Sequence, residues 1–202
     1  MASVSEALVR EFFELNGFLV RQPRKHSPRS PRDPEEADLL VVNPRPRKTN
    51  VEPPPMLLGP EHLPGVARAL VVVKGWHTET FSATRLAQMP EIFRFAAATV
   101  VQQAARELGD GPPLSKILVL PSLPHSQDLR QQSLKVMRDN GVDAVISFPT
   151  VLEDLLRRVE VNRDYRKSEA LQLLRILKNY GFLRDPQLEL FKAPRRRRST
   201  SP

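Results

Sequence analysis

The sequence predicts an α/β fold in which a mixed central sheet is flanked by helices. Two observations lead to this class: short apolar runs alternate with longer segments of helical period, and the strongest run, residues 69–73, ends in three consecutive valines. Runs rich in β-branched residues fit strands that are covered on both faces. Strands that alternate with helices are typical of a sheet with helices packed against it.

The elements are expected in a definite order. The predicted strands are residues 18–21, 36–42, 69–74, 116–121 and 144–148, and the predicted helices are residues 3–16, 82–108, 127–140, 150–160 and 168–180. Thr150 and Glu153 have capping-box spacing, which places the start of the fourth helix at Thr150. Residues 43–65 are dominated by proline and are predicted to form an extended loop.

The charge of the chain is unevenly distributed. One domain is expected at residues 1–191, with the proline-rich loop inside it, followed by a disordered basic tail at residues 192–202. The net charge of +8 lies in two arms, since the tail contributes +5, residues 21–50 contribute +4 and the remainder carries −1. Basic arms of this kind favour polyanionic partners such as nucleic acid.

Several classes of protein are excluded by motifs that the sequence lacks. It has no cysteine, no glycine-rich phosphate or dinucleotide motif and no serine-hydrolase elbow. The start of the chain has no signal-peptide pattern, and no apolar run approaches the ~18 residues of a membrane span. We therefore expect an intracellular protein without membrane association, cytoplasmic or, in a eukaryote, nuclear. The histidines lack metal-ligand spacing; they are His26, His62, His77 and His125.

Charged residues stand at the ends of two predicted strands. Asp38 lies near the start of the second strand, although aspartate is disfavoured in strands, and Lys74 ends the third. Lys74 either lays its stem on the end of the sheet with its ammonium in water, or points with Val72 toward the neighbouring strands. Because adjacent strands would otherwise leave these charges without partners, we expect Asp38 and Lys74 to lie within direct or one-water reach.

The order of elements and charges resembles the PD-(D/E)XK, or restriction-endonuclease-like, nuclease superfamily: a helix with Glu6, a strand, a strand with Asp38, a strand with Lys74, a long helix and a strand. The stretch from Glu6 to Gly17 and Phe18 is similar to that of archaeal Holliday-junction resolvases. The resemblance covers roughly residues 3–120. It implies that Lys74, Asp38 and Glu6 are catalytic and that Asp38 and Glu6 bind Mg²⁺.

The sequence departs from the family motif at Val72, where the second acid of the (D/E)-x-K pair would stand. Mg²⁺ takes hard oxygen ligands, so one inner-sphere carboxylate is missing. Glu36 is one candidate for the substitute ligand, because it lies two residues from Asp38 on the same strand face, and Glu79, just past the third strand, is the other. Glu6 is alternatively only a capping-box partner of the helix that contains it.

The resemblance implies a protein of this fold that binds DNA or RNA, with a variant or lapsed Mg²⁺-dependent nuclease site. Non-catalytic binding on the same fold and protein interaction through the proline-rich loop remain alternatives, and a homodimer remains open. Trp76 and His77 either cover the end of the sheet or stack a base. The expected nucleic-acid contacts lie in the two arms and are Arg24, Lys25, Arg195, Arg196, Arg197 and Arg198.

Overall fold

A computed structural model describes residues 3–23, 37–47 and 55–183 of the chain. These residues form a five-stranded mixed sheet flanked by helices, which confirms the predicted α/β class. The strands follow one another in space as in sequence: β1 Leu19–Arg21, β2 Leu39–Val42, β3 Arg68–Val73, β4 Ser115–Leu120 and β5 Ala144–Ser147. The first three strands pair antiparallel, and the last three pair parallel.

Helices cover both faces of this sheet. They are α1 Val4–Leu15, α2 Ala83–Ala87, α3 Ala98–Leu108, α4 Gln127–Asp139, α5 Phe148–Arg158 and α6 Glu169–Asn179, with 3₁₀ segments at Pro60–Gly65 and Pro90–Ala96. In the part of the chain that the structure describes, no helix is long and apolar enough to cross a membrane.

Strand β3 lies at the centre of the sheet, and all of its residues are buried. Its side chains alternate between two hydrophobic cores, as the strand period requires. Val71 and Val73 pack with residues of α1, α5 and α6, whereas Leu70 and Val72 pack with residues of α2, α3 and α4. The run of valines is therefore explained by burial on both faces.

The strand directions bring several chain segments to one edge of the sheet. Strands β3, β4 and β5 run parallel, so their carboxyl ends lie at the same edge. Because β2 is antiparallel to its neighbours, its first residues lie at this edge, together with the last residues of β1. We call this the carboxyl edge.

The segment 82–108, predicted as one long helix, is not continuous in the structure. The segment is divided into α2, the 3₁₀ segment Pro90–Ala96 and α3. Proline lacks an N–H and disfavours the helical conformation in the residue before it, and Met89 accordingly has φ −131° and ψ 59°. Ala97 is also extended, with ψ 142°, and separates the 3₁₀ segment from α3.

Two further predictions need correction. Helix α5 begins at Phe148 rather than at Thr150, because the Ser147 hydroxyl caps it by accepting a hydrogen bond from the Thr150 N–H at 3.2 Å. The proline-rich segment is not wholly irregular where it is described. Leu57 forms a parallel bridge with Val145 of β5, and the 3₁₀ segment Pro60–Gly65 follows.

Candidate functional site

Asp38 is held at the carboxyl edge by the backbone of β3. It directly precedes β2 and is buried, and its N–H donates to the Val71 carbonyl at 3.0 Å. Its Oδ2 accepts a hydrogen bond from the Val73 N–H at 2.8 Å. The Asp38 side chain therefore accepts a hydrogen bond from the β3 backbone of the kind that a main-chain carbonyl accepts within a sheet. The donor, Val73, directly precedes Lys74.

Lys74 extends the pairing of β3 by one residue, because its N–H donates to the Val119 carbonyl of β4 at 2.9 Å. The alternation of the strand therefore puts its side chain on the face of Val72. The residue is only 8% exposed, and its Nζ lies 5.8 Å from the centre of the Trp76 ring. This burial favours the interpretation in which Lys74 points toward the sheet over the one in which it extends into water.

Glu6 lies in the first turn of α1, close to the same edge. The Ser3 hydroxyl accepts a hydrogen bond from the Glu6 N–H at 3.2 Å, and this is one of the two hydrogen bonds of a capping box. The Glu6 carboxylate accepts a hydrogen bond from Gln22 Nε2 at 3.1 Å. Gln22 directly follows β1, whose last residue, Arg21, pairs with Leu40 of β2. The Glu6 carboxylate therefore lies beside the ends of β1 and β2.

Helix α1 and Lys74 belong to opposite faces of the sheet. Val9 and Phe12 of α1 pack with Val71 and Val73, whereas Lys74 shares the face of Val72. The first turn of α1 nevertheless lies at the carboxyl edge, where Ser5 and Glu6 contact His77 and Gln22.

The turn after β3 contacts the start of α1 through His77, a candidate from the sequence, and through Ser5 and Gly75, which the sequence did not single out. The Ser5 hydroxyl lies 2.9 Å from His77 Nε2, and the His77 ring packs edge-on against Phe148 with 4.4 Å between ring centres. A Cβ at Gly75 would lie 2.9 Å from Ser5 Oγ, which is too close for a real contact. A larger residue at position 75 would therefore force the Ser5 hydroxyl to move, and the glycine directly after Lys74 was the signal for this contact in the sequence.

The other candidate acids do not complete a metal site among the described residues. Val72 is 1% exposed and belongs to the core, and Glu79 forms an ion pair with Arg85 of α2 at 3.3 Å. Glu36 lies outside the described residues. Within residues 3–23, 37–47 and 55–183, no group of three or more His, Cys, Asp or Glu side chains is arranged to hold a metal ion.

The predicted nucleic-acid contacts also fall on parts of the chain that the structure does not describe. They are Arg24, Lys25, Arg195, Arg196, Arg197 and Arg198. The binding role of the two basic arms therefore remains a prediction from the sequence, although residues 21–50 also include β2 and Arg21, which forms an ion pair with Glu107 at 3.4 Å.

A cleft of about 330 Å³ lies apart from Asp38 and Lys74, between residues 57–62 and α5. Its buried acid, Asp154, accepts hydrogen bonds from Asn16 Nδ2 at 2.8 Å and from Arg158 Nε at 2.9 Å. These contacts tie α5 to the end of α1, so Asp154 has a structural role.

No protein-family model matches this sequence, and no curated protein or solved structure matches it at a significant level. Its function is therefore inferred from the fold and from the residues at the carboxyl edge.

Proposed function

We propose that this protein binds nucleic acid at the carboxyl edge, as a variant of the PD-(D/E)XK type with an altered or lapsed Mg²⁺ site. One observation carries the proposal. The Asp38 carboxylate is fixed on the Val73 N–H, and the next residue is the buried Lys74. An acid and a lysine on neighbouring strands correspond to two positions of the family motif, and the position of its second acid is Val72.

The order of elements supports the same proposal. Helix α1 carries Glu6, β1 follows, Asp38 precedes β2, Lys74 follows β3, and α2, α3 and β4 come next. This order is the one described above for the nuclease superfamily, except that the long helix is divided into shorter segments. The resemblance remains the basis for assigning roles, since a mixed α/β sheet alone hosts many activities.

The carboxyl edge is suited to a phosphate backbone. Lys74 supplies an ammonium group there, and α4 and α5 begin beyond the ends of β4 and β5, so their first N–H groups lie on this side of the sheet. The basic arms of the sequence would add contacts with phosphates that do not depend on base sequence. These three features together favour an extended polyanion over a small acidic ligand.

A Mg²⁺ site at this edge would have to rely on few carboxylates, because the described residues hold no group of three metal-ligating side chains. Mg²⁺ is commonly held by one or two carboxylates together with waters and substrate phosphates, and Asp38 and Glu6 are the described candidates. Bound there, the ion would polarise a phosphate and a water molecule. Lys74 would orient the attacking water or stabilise negative charge on the phosphate, and Asp38 would keep its position through the Val73 N–H.

Binding without hydrolysis is the second candidate function, and Val72 favours it. The side chain at the position of the missing acid is 1% exposed and packs with core residues such as Leu118. A site that has lost this ligand would keep its phosphate contacts while losing metal affinity. Cleavage in Mg²⁺ distinguishes the two candidates.

The test is a binding and cleavage assay on labelled DNA and RNA, single-stranded and duplex, in chelator and in Mg²⁺. We expect salt-sensitive binding that Lys74→Met weakens more than Lys135→Met does. Lys135 is a matched control, because it is an exposed cation on α4 paired with Asp139 at the helix's last residue, away from the carboxyl edge. Equal effects of the two variants, or the absence of salt-sensitive binding, would contradict the proposal.

A further inference from the structure

Trp76 presents a half-exposed aromatic ring beside the proposed site. It lies two residues after Lys74, and 44% of its surface is exposed. The ring stacks on Phe81, with 6.2 Å between ring centres and an interplanar angle of 14°. Phe81 is fully buried, so the indole rests on a fixed support.

The loop that carries Trp76 is held by several contacts. The Trp76 carbonyl accepts a hydrogen bond from the Glu79 N–H at 2.9 Å, and the Phe81 N–H donates to the Ser122 carbonyl at 3.1 Å. The next residue, His77, is bound by Ser5 of α1. The indole is therefore positioned before any ligand arrives, which reduces the conformational entropy lost on binding.

A positive charge lies close to this ring. Lys74 Nζ is 5.8 Å from the indole centre. The ammonium group lies over the ring, and each base of a single strand is joined to its phosphate through one sugar, so a base bound at the indole would bring a phosphate into the neighbourhood of Lys74. Aromatic platforms beside cations are the usual means of binding single-stranded nucleic acid.

We propose that Trp76 is a stacking platform for an unpaired nucleobase, with Lys74 beside the adjacent phosphate. This inference rests on the proposed function and specifies its substrate class as single-stranded or locally unpaired nucleic acid. In a continuous duplex the faces of each base are covered by its neighbours, so only an unpaired or terminal base can stack on an indole. Stacking on one aromatic side chain strengthens binding by about tenfold or more.

The protein contains an intrinsic fluorescent probe of this site, because Trp76 is the only tryptophan in the sequence. Its fluorescence is measured in chelator while single-stranded DNA, long duplex DNA with few ends per phosphate and a single strand of abasic nucleotides are added at equal phosphate concentration. We expect quenching by the single strand and little change with the duplex or the abasic strand. Equal quenching by the intact and abasic strands would overturn the platform, because the abasic strand has phosphates but no bases.

Variants provide an independent measurement through the anisotropy of labelled single-stranded DNA. We expect Trp76→Leu to weaken binding about tenfold or more, and Trp76→Phe to keep most of the affinity because phenylalanine still stacks. Tyr180→Leu is the matched control, since this aromatic residue is 72% exposed at the end of α6, and it should bind like the wild type. Melting curves establish that each variant is folded, and the wild-type fluorescence measurement needs no variant.

The outcomes separate this inference from the proposed function. If Lys74→Met weakens binding while Trp76→Leu does not, the platform is wrong and the proposed function stands. If the wild-type protein binds none of the nucleic acids, both fail. If the Trp76 emission changes with protein concentration alone, a second copy of the chain covers the ring and the platform is wrong.

Discussion

The carboxylate of Asp38 accepts a hydrogen bond from the backbone N–H of Val73 at 2.8 Å. This bond fixes an acid against the central strand immediately before Lys74, at the point where the chain enters β2. It also gives Asp38 a structural role in addition to the proposed chemical one. Stability and function at this position must therefore be separated by paired substitutions.

Asp38→Ala and Asp38→Asn should differ in stability. Alanine leaves the buried Val73 N–H without its acceptor, which costs about 1–3 kcal/mol, whereas the asparagine side-chain oxygen still accepts the hydrogen bond. Chemical denaturation should show a large loss for the first variant and a small one for the second. Both should lose Mg²⁺-dependent activity where the wild type has it, because neither retains the charge. Equal stabilities would mean that the hydrogen bond contributes little.

Gly75→Ala should be destabilising through its contact with Ser5. The added Cβ would lie 2.9 Å from Ser5 Oγ, and overpacking of this kind costs about 1–3 kcal/mol. Ser5→Ala removes that oxygen together with its hydrogen bond to His77, so its own cost is about 1 kcal/mol.

A double-mutant cycle tests this contact. Gly75→Ala should cost less in the Ser5→Ala background than in the wild type, since the clashing atom is gone, and coupled neighbours show interaction energies of about 0.5–3 kcal/mol. The free energies of unfolding of the four proteins provide the coupling energy. Purely additive costs would show that the close approach of α1 to the turn after β3 does not limit position 75.

The basic tail is expected to act through phosphate contacts alone. Deletion of residues 192–202 removes Lys192 and the run of four arginines that begins at Arg195. Binding should weaken similarly for all base sequences, and the slope of log affinity against log salt should fall by about 0.9 for each lost contact on duplex DNA. The measurement is a salt titration of binding for the full-length and shortened chains. An unchanged slope would assign the tail another role.

The fold could be predicted because burial leaves a clear pattern in the sequence. The valines of β3 and the apolar run of β4 indicate strands, since each residue contributes to one of two cores regardless of exact pairing. The exact boundaries of the helices and strands were harder to predict from the sequence. The α5 cap at Ser147 and the break at Ala97 depend on local backbone geometry, and the bridge of Leu57 to β5 is a contact between distant parts of the chain.

The sequence could single out candidate residues such as Asp38 and Lys74, but not the geometry that surrounds them. Asp38 and Lys74 could be identified because charges at strand ends are unusual in a buried sheet. The Asp38 hydrogen bond to Val73 and the contact of Ser5 with His77 depend on tertiary packing, which a single sequence does not encode in any local pattern. The orientation of Glu6 toward Gln22 has the same origin.

The Val72→Glu variant has a matched control on the same strand, which is Val71→Glu. Position 72 shares the face of Lys74, whereas position 71 points into the opposite core, and both valines are almost completely buried. A glutamate in an apolar core is destabilising because burial disfavours its charged form. In a latent metal site, bound Mg²⁺ would restore stability in proportion to its occupancy.

The most direct measurement is therefore the melting temperature of Val72→Glu and Val71→Glu in chelator and in millimolar Mg²⁺, followed by cleavage assays on DNA and RNA. We predict that both variants melt at a lower temperature in chelator, that Mg²⁺ restores much of the loss for Val72→Glu only, and that this variant shows new or increased Mg²⁺-dependent cleavage. If Mg²⁺ leaves both variants equally destabilised and neither cleaves, position 72 is ordinary core, and the proposed relationship of this edge to a metal-dependent nuclease site is contradicted.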